Sequence, residues 1–165
     1  MDGSLALVPF LIVGLVLLAL GVFTVEQQTA AVIERFGRFL RIAEWFVQVD
    51  GPRRAGLLGS HAEVRGQWEI TRPSGLFTLS AKADRIDQRR DGAWEIIDYK
   101  TGGVPPKKEV DRGLSPQLPL EAAMLSAGAF RGLPTGEVAT LAYWRLSGGE
   151  AAGMNLEIKS DVAKL

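Results

Sequence analysis

Two short stretches of the chain decide its fold: Ala83-Asp-Arg-Ile-Asp87 and Ile96-Ile-Asp-Tyr-Lys-Thr-Gly102. Between them, Asp91-Gly92 is a strong hairpin signal, because the glycine accepts the positive φ that a tight turn needs. The two stretches are therefore predicted to be antiparallel strands. Side chains alternate along a strand, so Asp98 and Lys100 should project from one face and stand side by side.

A further strand is predicted before this hairpin. The stretch from His61 to Ile70 alternates polar and apolar residues, and Arg72-Pro-Ser-Gly75 then supplies a turn into a strand from Leu76 to Asp87. Three strands joined in succession by tight turns form an antiparallel meander.

The rest of the chain predicts one helix and two more strands. Ser115 is expected to cap a helix that opens with Pro116 and stops at Gly128, since serine favours the N-cap, proline the first turn and glycine the C-terminus. Residues 136–145 and 154–158 have the composition of a fourth and a fifth strand. The fold class expected is α/β.

Pairing of the second and third strands would bring carboxylates together. Lys82, Asp84 and Ile86 are expected to share a face, which directs Asp84 towards Asp98. Two carboxylates beside the Lys100 ammonium form a hard-oxygen site suited to Mg²⁺ or Mn²⁺. A solvated ion pair on the sheet is the alternative interpretation of the same spacing.

The composition excludes several other classes of function. The chain has 165 residues with 19 Lys+Arg and 19 Asp+Glu, so its zero net charge argues against a protein that mainly coats nucleic acid. It has no cysteine, which excludes disulfides, thiolate zinc sites, cysteine-ligated iron–sulfur clusters and a cysteine nucleophile. Any metal must therefore bind to oxygen or imidazole ligands.

The N-terminal region is apolar. Residues 4–24 carry no charge and are long enough to cross a bilayer, which predicts one transmembrane helix and contact with the membrane. A cleavable signal peptide is disfavoured, because Asp2 is the only charged side chain before the run. The cations that follow are Arg35, Arg38 and Arg41. By the positive-inside rule they predict a single-pass protein of the inner membrane with its C-terminal part in the cytoplasm.

The two fold-deciding stretches, followed by Gln117-Leu-Pro-Leu-Glu-Ala-Ala-Met124, resemble PD-(D/E)XK nuclease domains of the RecB-like class. Residues 38–165 are particularly similar to the C-terminal nuclease domain of AddB, a subunit of bacterial double-strand-break repair helicase–nucleases. The resemblance implies a restriction-endonuclease-like mixed sheet flanked by helices. It also implies hydrolysis of DNA phosphodiesters with Mg²⁺ or Mn²⁺, with DNA and a helicase–nuclease subunit as partners.

The same resemblance assigns roles to individual residues. It makes Asp84 and Asp98 metal ligands, with the backbone carbonyl of Tyr99 as a further ligand. Lys100 matches the catalytic lysine of the family. Gln117 matches a downstream glutamine that orients the active site or the DNA strand.

Three features depart from the family pattern or match it weakly. Glu63 matches an acidic residue on the preceding strand, although an exposed strand carboxylate is an equal alternative. Glu121 stands where the family often has a tyrosine. The family also has an upstream metal-binding histidine, and the corresponding region here is the apolar run; His61, the only histidine, is interpreted as a surface residue. Loss of that ligand implies weak metal binding or an inactive fold.

A second resemblance covers the start of the chain. Residues 24–39 resemble the opening of stomatin-like (SPFH or band 7) membrane proteins, and the similarity extends over residues 5–43. The two resemblances overlap at residues 38–43, which suggests a fusion of a stomatin-like anchor, residues 1–43, with a partial nuclease domain, residues 44–165. The alternative function is non-enzymatic: a stomatin-like membrane-associated protein, or a nuclease fold kept as an interaction module.

Overall fold

The computed structural model of the chain describes residues 37–159, and those from Arg41 onward belong to one compact unit. The predicted transmembrane helix lies outside the described residues. Within residues 37–159, no helix is both long and apolar enough to cross a membrane. The elements in chain order are α1 (37–54), β1 (Leu57–Arg72), β2 (Gly75–Arg89), β3 (Trp94–Lys100), α2 (Lys107–Asp111), α3 (Gln117–Ser126), β4 (Val138–Leu146) and β5 (Gly153–Lys159).

The five strands form one sheet in the order β1-β2-β3-β4-β5. The first three pair antiparallel, which confirms the predicted meander. The chain then passes through α2 and α3, and β4 pairs parallel with β3, while β5 returns antiparallel to β4. The sheet is therefore mixed, because the helical connection lets β4 enter beside β3 in the same direction.

Helices cover both faces of the sheet. Ile96 packs into the main core together with Leu118 of α3. Ile97 points to the opposite face, where it clusters with Trp144 and with Trp45 of α1. The rings of Trp45 and Trp144 meet edge to face, with their centroids 5.7 Å apart. The two-residue alternation predicted for β3 is confirmed.

A buried ion network ties α1 to the second face. The guanidinium of Arg85, on β2, contacts the carboxylates of Asp50 at 2.7 Å and Asp87 at 2.8 Å, and all three residues are buried. Burial alone would lower the pKa of Arg85, but hydrogen bonds from its guanidinium to the two carboxylates raise that pKa above its ordinary value. Arg85 therefore stays charged and neutralises the two acids.

The stretch from Glu44 to Asp50 is helical, because α1 runs through it. Sequence patterns gave no helix here, and the predicted domain boundary between residues 43 and 44 falls inside α1. The contacts that hold this part of the helix, with Trp144 and Arg85, come from residues far along the chain. A local pattern cannot reveal them.

Near Asp84, the side chains of the long β1–β2 hairpin stop alternating regularly between the two faces of the sheet. Ala83 and Ile86 pack into the same core although they are three residues apart. Opposite this break, Glu63 has a positive φ of 57°, which is rare for a residue other than glycine. Lys82 is adjacent to Ala83 on the strand, so it projects from the face opposite Ala83 and Ile86, where it is exposed and ion-paired with Glu63. The prediction that Lys82 shares a face with Ile86 is therefore wrong.

The ends of α3 differ in how well sequence signals predict them. The helix begins at Gln117 with Pro116 as its N-cap, and no side chain caps it, so the predicted Ser115 cap is wrong. Because proline has no backbone N–H, it suits a position where helical donors lack partners. Gly128 follows the helix with φ at 74°, which confirms the predicted glycine stop.

Candidate active site

The site lies where β2 and β3 begin to separate. Arg85 pairs with Ile97 in the antiparallel ladder, so Asp84 stands opposite Asp98. In place of a further strand-to-strand bond, the backbone N–H of Tyr99 donates to Asp84 Oδ2 at 2.9 Å. This hydrogen bond fixes the Asp84 carboxylate beside the strand that carries Asp98.

Asp98, Lys100 and Gln117 form a closed triangle of contacts. Lys100 Nζ lies 2.8 Å from Asp98 Oδ2 and donates to Gln117 Oε1 at 3.1 Å. The Gln117 amide in turn donates to Asp98 Oδ1 at 2.6 Å. Asp98 is only 2% exposed, so the lysine and the amide satisfy a carboxylate that burial alone would penalise. The structure thus brings together these three predicted residues.

Glu121 is a site residue whose role sequence reasoning missed. It lies one helical turn after Gln117, and the Gln117 amide donates to its Oε1 at 3.3 Å. Burial raises the pKa of Glu121 to about 7. The hydrogen bond from the Gln117 amide opposes this rise, and the nearby negative charges of Asp98 and Asp84 add to it. The spacing of four residues could have revealed it, because such residues share a helix face.

Tyr143 of β4 closes the site from below. Its strand lies parallel to β3 with Tyr143 paired to Asp98, and its ring centroid lies 5.9 Å from Lys100 Nζ. Burial, with Asp98 and Glu121 adding to it, raises the pKa of Tyr143 to about 12. The hydroxyl is therefore protonated at neutral pH and contributes no further negative charge.

Glu63, a predicted metal ligand, and His61, the only histidine of the chain, lie away from this cluster. Glu63 stands at the level of Asp84 in the ladder, but it is exposed and its carboxylate pairs with Lys82. His61 is half-buried, and its ring centroid is 6.3 Å from that of Trp94. Because Trp94 opens β3 and Asp98 is near its end, the imidazole is remote from the carboxylates.

The side chains present fit a divalent cation that keeps part of its water. Among residues 37–159, no group of three or more Asp, Glu or His side chains forms a ready-made metal cluster. Mg²⁺ does not require one, since it binds proteins through one or two carboxylates and completes its octahedron with water and substrate phosphate. Asp84 and Asp98 supply that number of carboxylates, and within the described region Asp84 Oδ1 accepts no hydrogen bond.

A mixed sheet flanked by helices, with an acid-and-lysine cluster at the end of the β2–β3 hairpin, is the arrangement expected of a PD-(D/E)XK nuclease domain. Residues 19–164 match the family described as the PD-(D/E)XK nuclease superfamily, and the chain belongs to this superfamily. Its nucleases typically use divalent metal ions. The matched range begins within residues 5–43, the stretch that resembles stomatin-like proteins.

Curated relatives come from Rickettsia. An "Uncharacterized protein" of Rickettsia bellii (strain RML369-C) is 33% identical over 89 residues, which is 54% of this chain and 11% of the relative. "Uncharacterized protein RT0391" of Rickettsia typhi is 35% identical over 85 residues, 52% of this chain and 10% of the relative. The chain thus spans about a tenth of the length of these relatives.

A solved structure described as "Crystal structure of SSO0001" aligns with 64% of this chain and 45% of its own, at a TM-score of 0.41 and 19% identity. None of these similarities supports AddB in particular, a stomatin-like segment or a fusion.

Proposed function

We propose that the chain is a divalent-metal-dependent deoxyribonuclease of the double-strand-break repair type. One observation carries the proposal: Asp98, Lys100 and Gln117 converge next to Asp84 in a chain of the PD-(D/E)XK nuclease superfamily. A solvated ion pair on a sheet would not need a buried carboxylate or a glutamine from a separate helix.

Each residue has a role in the proposed chemistry. Asp84 and Asp98 would hold the cation, with the Tyr99 carbonyl as a third oxygen. When bound, the cation polarises the scissile phosphate and lowers the pKa of a water molecule. Lys100 places a positive charge where negative charge develops on the phosphate. Gln117 holds both Asp98 and Lys100, and so fixes their relative orientation.

The AddB-like type, the partners and the place on the inner membrane are proposed from the amino-acid sequence. The AddB-like assignment and a helicase–nuclease subunit as partner are supported by the motifs around Asp84, Asp98 and Gln117. The membrane as a partner, and a place on the inner membrane, are supported by the uncharged run of residues 4–24. A metal-binding histidine is not part of the proposed site, since His61 packs near Trp94.

The test is DNA hydrolysis by the full chain with Mg²⁺ or Mn²⁺, on linear duplex and single-stranded substrates. We expect Asp98→Asn and Lys100→Gln each to lower the rate at least 100-fold, since each removes a charged group from the reacting centre. Asp111→Asn is the matched control, because it removes an exposed carboxylate on α2 that pairs only with Lys107 among the described residues. Equal rates in all four proteins would refute the proposal.

The alternative is a nuclease fold kept as an interaction module. One observation favours it: Lys100 already neutralises Asp98, as a purely structural ion pair would. In that case Asp98→Asn would leave the Lys100 ammonium without its counter-ion and lower the free energy of unfolding. Neither the parent protein nor any variant would hydrolyse DNA. Thermal unfolding measured on the same samples separates this outcome from a loss of catalysis.

A further inference from the structure

The side-chain amide of Gln117 makes hydrogen bonds through both its nitrogen and its oxygen. Its Nε2 donates to Asp98 Oδ1 at 2.6 Å and to Glu121 Oε1 at 3.3 Å, which matches the two hydrogens that an amide nitrogen carries. Its Oε1 accepts from Lys100 Nζ at 3.1 Å. A single amide group thus joins two carboxyl groups to the lysine.

These contacts allow the amide one orientation. A half-turn about the last side-chain bond of Gln117 would exchange the positions of its oxygen and nitrogen. The oxygen would then face two accepting carboxyl groups, and the NH₂ group would face the Lys100 ammonium, which has no acceptor. Since both new contacts would be repulsive, the two acids and the lysine together keep Gln117 Oε1 directed at Lys100.

The two acids that hold the amide differ in their other tasks. Asp98 is proposed to hold the cation, and an oxygen that binds a cation gives up a lone pair to it. Glu121 is not proposed as a ligand, because within residues 37–159 it forms no three-membered metal cluster with Asp84 and Asp98. Glu121 is therefore the acceptor that keeps its hold on Gln117 when Asp98 is engaged elsewhere.

Packing alone does not account for a glutamate at position 121. The residue is 4% exposed and lies among buried apolar side chains of α3, namely Leu118, Ala122 and Leu125. A carboxyl group in such a place is costly unless it is hydrogen-bonded, and the Gln117 amide supplies that bond. The ionised and the protonated carboxyl group both offer an accepting oxygen, so the contact does not require a charge.

We propose that Glu121 is a positioning residue: it holds the Gln117 amide so that this amide keeps Lys100 directed at the reacting phosphate. The two residues are four apart on α3, and such residues are neighbours on one helix face, so the helix itself sets their contact. Glu121 touches neither substrate nor cation and acts through Gln117. The reaction that it serves rests on the proposed function.

The first test is hydrolysis of DNA by the full chain with two substitutions of Glu121. Glu121→Met removes the accepting oxygen and keeps the side-chain length, so it should lower kcat about tenfold with little change in KM, as expected for one lost hydrogen bond. Glu121→Gln keeps an accepting oxygen and should recover most of that loss. Glu109→Met is the matched control, because it replaces an exposed glutamate on α2, and it should behave like the parent.

A double-mutant cycle shows whether Glu121 acts through Gln117. Once Gln117→Met is present, adding Glu121→Met should change kcat by less than about twofold, because the contact is already lost. Losses that multiply independently would overturn the proposal. A loss of Mg²⁺ affinity in Glu121→Met as large as that in Asp98→Asn would also overturn it, because Glu121 would then be a ligand.

Nuclear magnetic resonance of the metal-free protein in EDTA measures the contact without any reaction. The two side-chain N–H signals of Gln117 are assigned by their disappearance in Gln117→Met. Glu121→Met should shift one of them upfield and Glu109→Met should shift neither, whereas unchanged signals in Glu121→Met would overturn the proposal. The upfield shift in a chain whose parent hydrolyses no DNA would support the hold of Glu121 on Gln117 and refute the proposed function.

Discussion

Glu121 shows how the fold changes the chemistry of a single carboxyl group. The residue is 4% exposed and lies near the negative charges of Asp98 and Asp84, which raises its pKa from 4.5 to about 7. The folded chain therefore binds a proton that the unfolded chain releases between these two pH values. The free energy of unfolding should therefore fall as pH rises from about 4.5 to 7. Above pH 7, the ionisation of Glu121 should change it little.

The first prediction is that Glu121→Gln removes this pH dependence. From pH 5 to pH 8 in EDTA, the free energy of unfolding of the parent should fall by about 2 kcal/mol more than that of the variant. The reason is that the neutral amide does not ionise in the folded protein. The measurement is the free energy of unfolding from urea titrations at the two pH values.

Glu109→Gln is the control for Glu121→Gln. Glu109 is an exposed glutamate on α2, so this variant should keep the pH dependence of the parent. If Glu121→Gln gained no more stability than Glu109→Gln between pH 5 and pH 8, the raised pKa of Glu121 would be wrong.

At the scale of the element, the contact between α1 and the sheet depends on one carboxylate with two unlike partners. Asp50 binds Arg85, whose side chain is 5% exposed, and also Arg54, whose side chain is 68% exposed. A buried charge left without its partner costs several kcal/mol, whereas an exposed ion pair contributes less than about 1 kcal/mol. The two arginines should therefore differ greatly in their effect on stability.

The second prediction compares Arg85→Gln with Arg54→Gln. Arg85→Gln should lower the free energy of unfolding by about 3–5 kcal/mol, because Asp87 then remains buried without a cation and Asp50 keeps only the exposed Arg54. Arg54→Gln should lower it by less than about 1 kcal/mol. Urea unfolding measures both, and losses of similar size would show that the network does not hold α1 against the sheet.

The elements differ in how far sequence could predict them. The hairpin before β3 follows from a local signal, because Gly92 takes the positive φ of 89° that its turn requires. Asp98 and Lys100 could be placed on one face because β3 alternates regularly. By contrast, α1 depends on distant partners, and the outward direction of Lys82 depends on the backbone at Glu63. These last two features arise only when the strands and helices are packed together.

At the scale of the whole molecule, folding creates the proposed cation site. Asp84 and Asp98 are separated by a hairpin in sequence, and antiparallel pairing brings them to the same level of the sheet. Gln117 reaches them only because the chain crosses from β3 through α2 to α3. A cation that binds this arrangement must stabilise the folded chain, because the unfolded chain does not present the carboxylates together.

The last prediction is therefore that Mg²⁺ raises the melting temperature of the full chain. Each tenfold increase in free Mg²⁺ above its Kd should add about 1.4 kcal/mol, which corresponds to roughly 4 °C for a domain of this size. Thermal unfolding followed by circular dichroism, at constant ionic strength, measures the shift. Asp98→Asn should abolish it and Asp111→Asn should retain it, since only Asp98 lies in the site. Because the chain has no net charge, nonspecific screening by Mg²⁺ should contribute little, and an equal shift in both variants would contradict binding at these carboxylates.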